Sequence, residues 1–257
     1  MLWHDLIEEV CRLPANARYY MRTKMRSLIL STLCLNFLLQ FGHAQPDGFR
    51  KLFNGKTLEG WWGLGTENPE NWINLPENEL LKKRNDSLVD IKKHWRVENE
   101  ELINDGNGLY LTTNENFADF ELHLEYKTVA KADSGIYLRG YPQVQIWDTT
   151  EAGGKWKYGA QKGSGGLWNN RPGRGWAPLT HADKPFGEWN HFRIIMKGIK
   201  VSVWLNQTLV VDEAPSVNYW HRKNSKRSVI EEGPIQLQTH GGEIRWRNLF
   251  IKDLPSS

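Results

Sequence analysis

Cysteine is nearly missing from this 257-residue chain: there are two, Cys11 and Cys34, and both lie in the first 44 residues. Residues 45–257 therefore hold no disulfide, no thiol nucleophile and no cysteine-based zinc site. An excess of charge is missing too. The 33 Lys and Arg face 30 Asp and Glu, and a net charge of +3 implies neither a nucleic-acid nor a membrane-surface partner. There is no phosphate loop, no dinucleotide fingerprint and no nucleophile elbow. The apolar run at 27–41 is 15 residues, short of the roughly 20 that span a bilayer as a helix. Finally, 45–257 shows no long helical period.

What is present begins with a leader. Arg22, Lys24 and Arg26 precede the apolar run, and Gly42-His-Ala44 supplies small residues for cleavage before Gln45. The pattern predicts a signal peptide at 25–44, preceded by a 1–24 extension that suits no signal, and a single domain at 45–257. That domain is expected to be exported, to the periplasm or beyond, with no transmembrane helix. It is close to neutral, about +1, and keeps 12 of the 13 Trp. With 39% hydrophobic and 12% aromatic residues the chain can build a core.

Strand signals dominate. In 118–128, Phe120, Leu122, Leu124 and Tyr126 alternate with Glu121, His123, Glu125 and Lys127. Runs at 189–196 and 199–205 flank Lys197-Gly198, and Asn206-Gln207 turns into 208–212. Shorter strands are predicted at 95–97, 101–103, 109–113, 135–139, 143–147, 234–239 and 243–253. Many short strands with Gly and Asn turns predict an all-β sandwich or jelly roll. Two long connections, 148–188 and 214–233, interrupt the rhythm, and loops of that length are usually functional.

Three strands carry an unusual outward face. With Ile136, Leu138, Val144, Ile146, Ile235 and Leu237 turned to the core, Tyr137, Arg139, Gln143, Gln145, Trp147, Gln236, Gln238 and His240 face away from it. Amides, a guanidinium and indole suit a sugar, whose hydroxyls take paired hydrogen bonds and whose C–H face packs on aromatic rings. The competing reading is a set of cross-strand ladders under a loop. Reactive candidates are Asp148, His240 and Glu243, with His181, Asp183 and Lys184 in the long loop. Trp156, Trp168, Trp176 and Trp220 are the loop indoles that suit sugar binding, while Trp204 and Trp246 read as packing. No motif identifies a cofactor, and His181-Ala-Asp183 leaves a divalent cation open. The basic run at 222–227 reads as a solvated loop. The oligomeric state is left open.

Phe49-Arg-Lys-Leu-Phe-Asn-Gly-Lys-Thr-Leu-Glu-Gly-Trp61, Ser134-Gly-Ile-Tyr-Leu-Arg-Gly140, Pro142-Gln-Val-Gln-Ile-Trp-Asp148, Pro185-Phe-Gly-Glu-Trp-Asn190 and Gly233-Pro-Ile-Gln-Leu-Gln-Thr-His-Gly241, in that order, resemble the 3-keto-disaccharide hydrolase domain family. The resemblance covers about 49–254. It implies a concanavalin A-like jelly roll of two antiparallel sheets, acting on a small carbohydrate substrate: a glycoside already oxidised at C3. A C3 ketone acidifies the C2 hydrogen, so the aglycone can leave by elimination with water added afterwards, a route needing a general base and an enolate stabiliser. On this reading Asp148, His240 and Glu243 are the acid/base candidates. Tyr137, Arg139, Gln143, Gln145, Trp147, Asp183, Lys184 and Gln238 bind substrate. The alternative is a non-catalytic, lectin-like carbohydrate-binding module, since this architecture hosts both.

Overall fold

The clean alternation at 118–128 becomes the centre of the molecule. In a computed structural model that describes residues 45–256 apart from residue 171 and residues 222–229, β6 (Phe120–Thr128) buries Phe120, Leu122, Leu124 and Tyr126 almost completely. The expected signal peptide with its upstream extension and the basic run at 222–227 lie outside the described residues. β6 pairs antiparallel with β9 (Asn190–Lys197) on one side and β13 (Ile244–Asp253) on the other. β10 (Lys200–Leu205) and β11 (Thr208–Pro215) extend the sheet beyond β9. β4 (Glu101–Asn104) and β3 (Trp95–Glu98) extend it beyond β13, and β1 (Arg50–Lys51) pairs the far end of β13.

A second sheet of five strands lies over it, in the order β2-β5-β12-β7-β8. These are β2 (Trp61–Leu64), β5 (Tyr110–Thr113), β7 (Asp133–Leu138), β8 (Gln143–Trp147) and β12 (Ile235–Leu237). Ile136, Leu138, Val144, Ile146, Ile235 and Leu237 from this sheet meet Phe192, Ile194, Val201 and Val203 of the larger one in a single core. Residues from Gln45 onward form one compact unit, a concanavalin A-like jelly-roll sandwich of two antiparallel sheets. Among the described residues no helix is long and apolar enough to cross a membrane.

One local finding departs from the sequence reading, and a second accords with it and supplies its geometry. An 18-residue helix, α1 (Glu77–His94), stands where no helical period is visible. Glu77 and Glu79 in its first turn and Lys92, Lys93 and His94 in its last suit the helix dipole. Only Ser87 and Ile91 of this helix are buried. It docks through Ile91 in the core, Leu80 against Trp62 and Leu64, and two polar caps: Gly63 N–H of edge strand β2 donates to Ser87 Oγ at 2.8 Å, and Leu109 N–H to Asp90 Oδ1 at 2.6 Å. A helix held by so few apolar residues needs only a narrow stripe, and it covers a sheet edge that would otherwise be open. The second finding is the Asn206-Gln207 turn. Both residues adopt positive φ, 50° and 68°, the conformation of the two-residue hairpin usually built with glycine. Asn206 offsets the strain by donating to Ala182 O and to Asn190 Oδ1.

Candidate active site

The outer face of the five-stranded sheet forms the floor of a cleft of about 420 Å³. Strand register builds it: Asp133 is paired with Trp147, Gly135 with Gln145 and Tyr137 with Gln143, so alternate residues of β7 and β8 all face outward. Beside them, Gln238 and His240 follow β12 and reach the same face. Gly135 is required here, because a Cβ would lie 2.5 Å from Gln143 Nε2. The floor is an amide ladder: Gln143 Nε2 donates to Gln145 Oε1 at 2.8 Å and to Gln238 Oε1 at 2.5 Å. Gln145 Nε2 donates to Asp133 Oδ1 at 2.7 Å, and Gln238 Nε2 to the Tyr110 hydroxyl at 3.3 Å. Glutamines are largely spent on one another and form a rigid, neutral, hydrogen-bonded surface.

Reactive groups gather at one end. His240 Nδ1 lies 3.0 Å from Asp133 Oδ2, and Lys155 Nζ lies 2.9 Å from the same oxygen. Asp133 is 7% exposed, while the His240 side chain is 55% exposed. Burial pushes the Asp133 carboxyl upward, but the hydrogen bonds from His240 and then Lys155 outweigh it and hold the group below its ordinary value. The same bond raises His240 above 6.5, against the opposing effects of burial and of Lys155. With Nδ1–H engaged by the carboxylate, neutral His240 carries its lone pair on Nε2, at the exposed tip of the ring. At the opposite end, burial raises the Tyr137 phenol far above its usual range, keeping it protonated. Its ring stacks on Tyr110 at 5.7 Å and 16°.

Aromatic walls rise from the two long connections. Trp168 meets Trp147 edge-on at 5.2 Å and Tyr158 at 6.0 Å. Tyr219 and Trp220, in a short helical turn after β11, close the other side. That turn is tethered by His221 Nε2 to Glu70 Oε2 at 2.9 Å.

The structure brings Tyr137, Gln143, Gln145, Trp147, Gln238 and His240 together, as the strand parity predicts. It places the other candidates elsewhere. Arg139 follows the last residue of β7 with φ of 54°, so alternation no longer sets its direction. It is buried against Asp119 at 2.9 Å and donates to Gly198 O and Ala118 O. Asp148 is buried, taking Lys131 N–H at 2.7 Å and the N–H and hydroxyl of Thr150. Burial acts upward on it, and these bonds outweigh it to hold the carboxyl low, as fits the anchor of a turn. Glu243 pairs with Arg245 at 2.7 Å and Arg96 at 3.3 Å, away from the cleft lining. Asp183 accepts Ser164 N–H at 2.9 Å and lies 3.4 Å from His181, while Lys184 Nζ donates to Trp189 O; both fasten the long loop. Among the described residues no group of three or more His, Cys, Asp or Glu could hold a metal ion.

Sequence reasoning missed Asp133, Lys155, Tyr110 and Tyr219. For Asp133 the signal existed: it shares parity with Gly135 and Tyr137, but the strand was expected to begin two residues later. Of the loop indoles, Trp168 and Trp220 line the cleft. Trp156 instead donates to Thr149 O, and Trp176 lies behind Trp168.

Known proteins share this framework. A crystal structure of a candidate glycosyl hydrolase from Parabacteroides distasonis superposes with a TM-score of 0.54 at 21% identity, over 81% of this chain and 95% of that one. A second from the same organism gives 0.52 at 22% identity, over 81% and 85%. These likenesses establish the fold. The 3-keto-disaccharide hydrolase of Bacteroides thetaiotaomicron is 24% identical in an alignment of 248 positions that covers 81% of this chain and 79% of that protein. Residues 48–252 match the model of the 3-keto-alpha-glucoside-1,2-lyase-like domain, and the chain belongs to that family.

Proposed function

We propose that this protein is a carbohydrate-active enzyme that cleaves the glycosidic bond of 3-keto-disaccharides, with His240 as its general base. The observation that carries the reading is the Asp133–His240 pair set in an aromatic cleft. Asp133 is the only carboxylate among the described residues lining that cleft. Glycoside hydrolysis through an oxocarbenium-like transition state generally uses two. A single carboxylate holding a histidine suits proton abstraction beside a ketone instead. Family membership and the name of the Bacteroides relative support the same substrate class.

His240 Nε2 takes the C2 proton; the C–H electrons form a C1–C2 double bond, and the C1–O bond breaks. The leaving oxygen takes a proton from a cleft acid, for which protonated His240 and Lys155 are the groups at hand. Addition of water across the new double bond then gives net hydrolysis, and release before that addition gives the elimination product. A lectin-like module would need only the aromatic walls and the amide floor. It gives no role to a half-exposed His240 whose basicity is raised by a buried carboxylate.

The test is to incubate the protein with a 3-keto-disaccharide and with its unoxidised parent. Release of the free sugar from the keto form alone is expected, and His240→Asn should reduce it at least 100-fold. Binding of both sugars without turnover of either would overturn the proposal. Export through the 25–44 segment belongs to the same proposal and predicts a mature protein beginning at Gln45, read by N-terminal sequencing.

A further inference from the structure

Charge is segregated within the cleft. Its acidic and basic side chains, Asp133, Lys155 and His240, meet at the first residue of β7. Tyr137 stands four residues along the same face, ~13 Å away at the rise of a β-strand. The lining there is phenolic and neutral. Tyr110 stacks on Tyr137, the Tyr110 hydroxyl lies 2.5 Å from Thr66 Oγ1, and Tyr219 closes the wall. Between the two ends the Gln143 amide packs over Gly135, so the floor at the midpoint is the neutral glutamine ladder. A span of that length takes two linked pyranose rings and is left half empty by one.

The two ends suit different rings. Removing a proton from C2 requires a base, so the ring bearing the ketone belongs over Asp133 and His240. The departing ring undergoes no proton transfer at carbon; it has hydroxyls to be recognised and C–H faces to be covered, which phenols and stacked rings supply. We propose that the Tyr110–Tyr137–Tyr219 end of the cleft is the subsite for the leaving sugar, a neutral pyranose, and that it gives the enzyme its preference for disaccharides over simple 3-keto-glycosides. This inference rests on the proposed 3-keto-glycoside chemistry.

The experiment compares a 3-keto-disaccharide with methyl 3-keto-glucoside on the intact protein, its Tyr137→Phe variant and, on the surface wall, Tyr219→Ala. The wild type should favour the disaccharide at least tenfold in kcat/KM. Each variant should lose about tenfold on the disaccharide, mostly through KM, and should narrow that preference. Equal losses on both substrates, or no wild-type preference, would overturn the assignment. Should the wild type cleave neither substrate, the proposed chemistry falls, and the subsite is then read by titration calorimetry with the unoxidised disaccharide and methyl glucoside. Tenfold weaker disaccharide binding in Tyr137→Phe, with a smaller change for the methyl glucoside, supports the subsite; unchanged disaccharide binding overturns it.

Discussion

Arg139→Met separates a binding role from a structural one. The Arg139 side chain is 2% exposed and that of Asp119 9%. Its guanidinium ties the end of β7 to the residues before β6 and to the β9–β10 hairpin, through Ala118 O, Asp119 Oδ1 and Gly198 O. It is therefore a clamp between the two sheets. Methionine fills similar space but takes the guanidinium away from buried Asp119 and from two carbonyls. Removing one member of a buried pair costs about 3–5 kcal/mol. For a domain of about 200 residues each kcal/mol lowers Tm by roughly 2–4 °C, so a fall of about 6–20 °C is expected by calorimetry. At a temperature where the variant stays folded, kcat/KM should remain within about threefold, because no atom of the side chain lines the cleft. The double variant with Asp119→Asn should recover part of the loss, since the buried carboxylate charge goes with the guanidinium. A Tm within 2 °C of wild type together with a tenfold rise in KM would refute the clamp and return Arg139 to the substrate site.

Asp133→Asn should lower kcat by about 10²–10³-fold, as a base loses its orienting partner. Because Asp133 raises His240 above 6.5, and the base works only when neutral, kcat/KM rises as pH increases through that raised value. In the variant the acid limb should move to lower pH; a pH–rate profile that stays in place would dissociate the pair from the chemistry. Gly63→Ala should cost about 1–3 kcal/mol by overpacking, since its Cβ would lie 2.9 Å from both Ile91 Cγ1 and Leu109 Cδ1; urea midpoints measure it. Asp148→Ala should cost about 1–3 kcal/mol by stranding the N–H groups of Lys131 and Thr150. It should raise KM more than it lowers kcat, because the residue anchors a wall and touches no substrate.

Legibility in the sequence followed the reach of alternation. β6 and β8 are regular along their length, so their buried and outward residues could be assigned one by one, and the amides and indole of the floor came with them. The same rule failed one residue past a strand end: Leu138 closes β7, Arg139 turns through positive φ, and parity then pointed a structural arginine into the cleft. α1 was invisible because its apolar contacts come down to Ile91 and Leu80, and polar contacts do the rest. Ser87 and Asp90 complete the backbone hydrogen bonds of neighbouring segments, and such contacts leave no hydrophobic period. Lys155 and Tyr219 come from loops, where position depends on packing between distant segments and no periodic signal exists.

The glutamines tell more about the chemistry than their hydrogen bonds to each other suggest. A floor of Lys and Glu would place several charges within a few ångströms of His240, and its basicity would follow their collective field. Amides satisfy the same outward sheet face without adding charge, so Asp133 and Lys155 remain the ionic neighbours of the histidine. Gln145 also fixes the carboxylate by donating to Asp133 Oδ1, leaving Oδ2 for the imidazole and the ammonium. Gln145→Glu preserves the shape and tests this directly. A second carboxylate beside Asp133 should raise His240 further and shift the acid limb of the rate profile to higher pH, opposite in sign to Asp133→Asn. A shift in the same direction for both variants would mean that the histidine answers to packing rather than to the charge beside it.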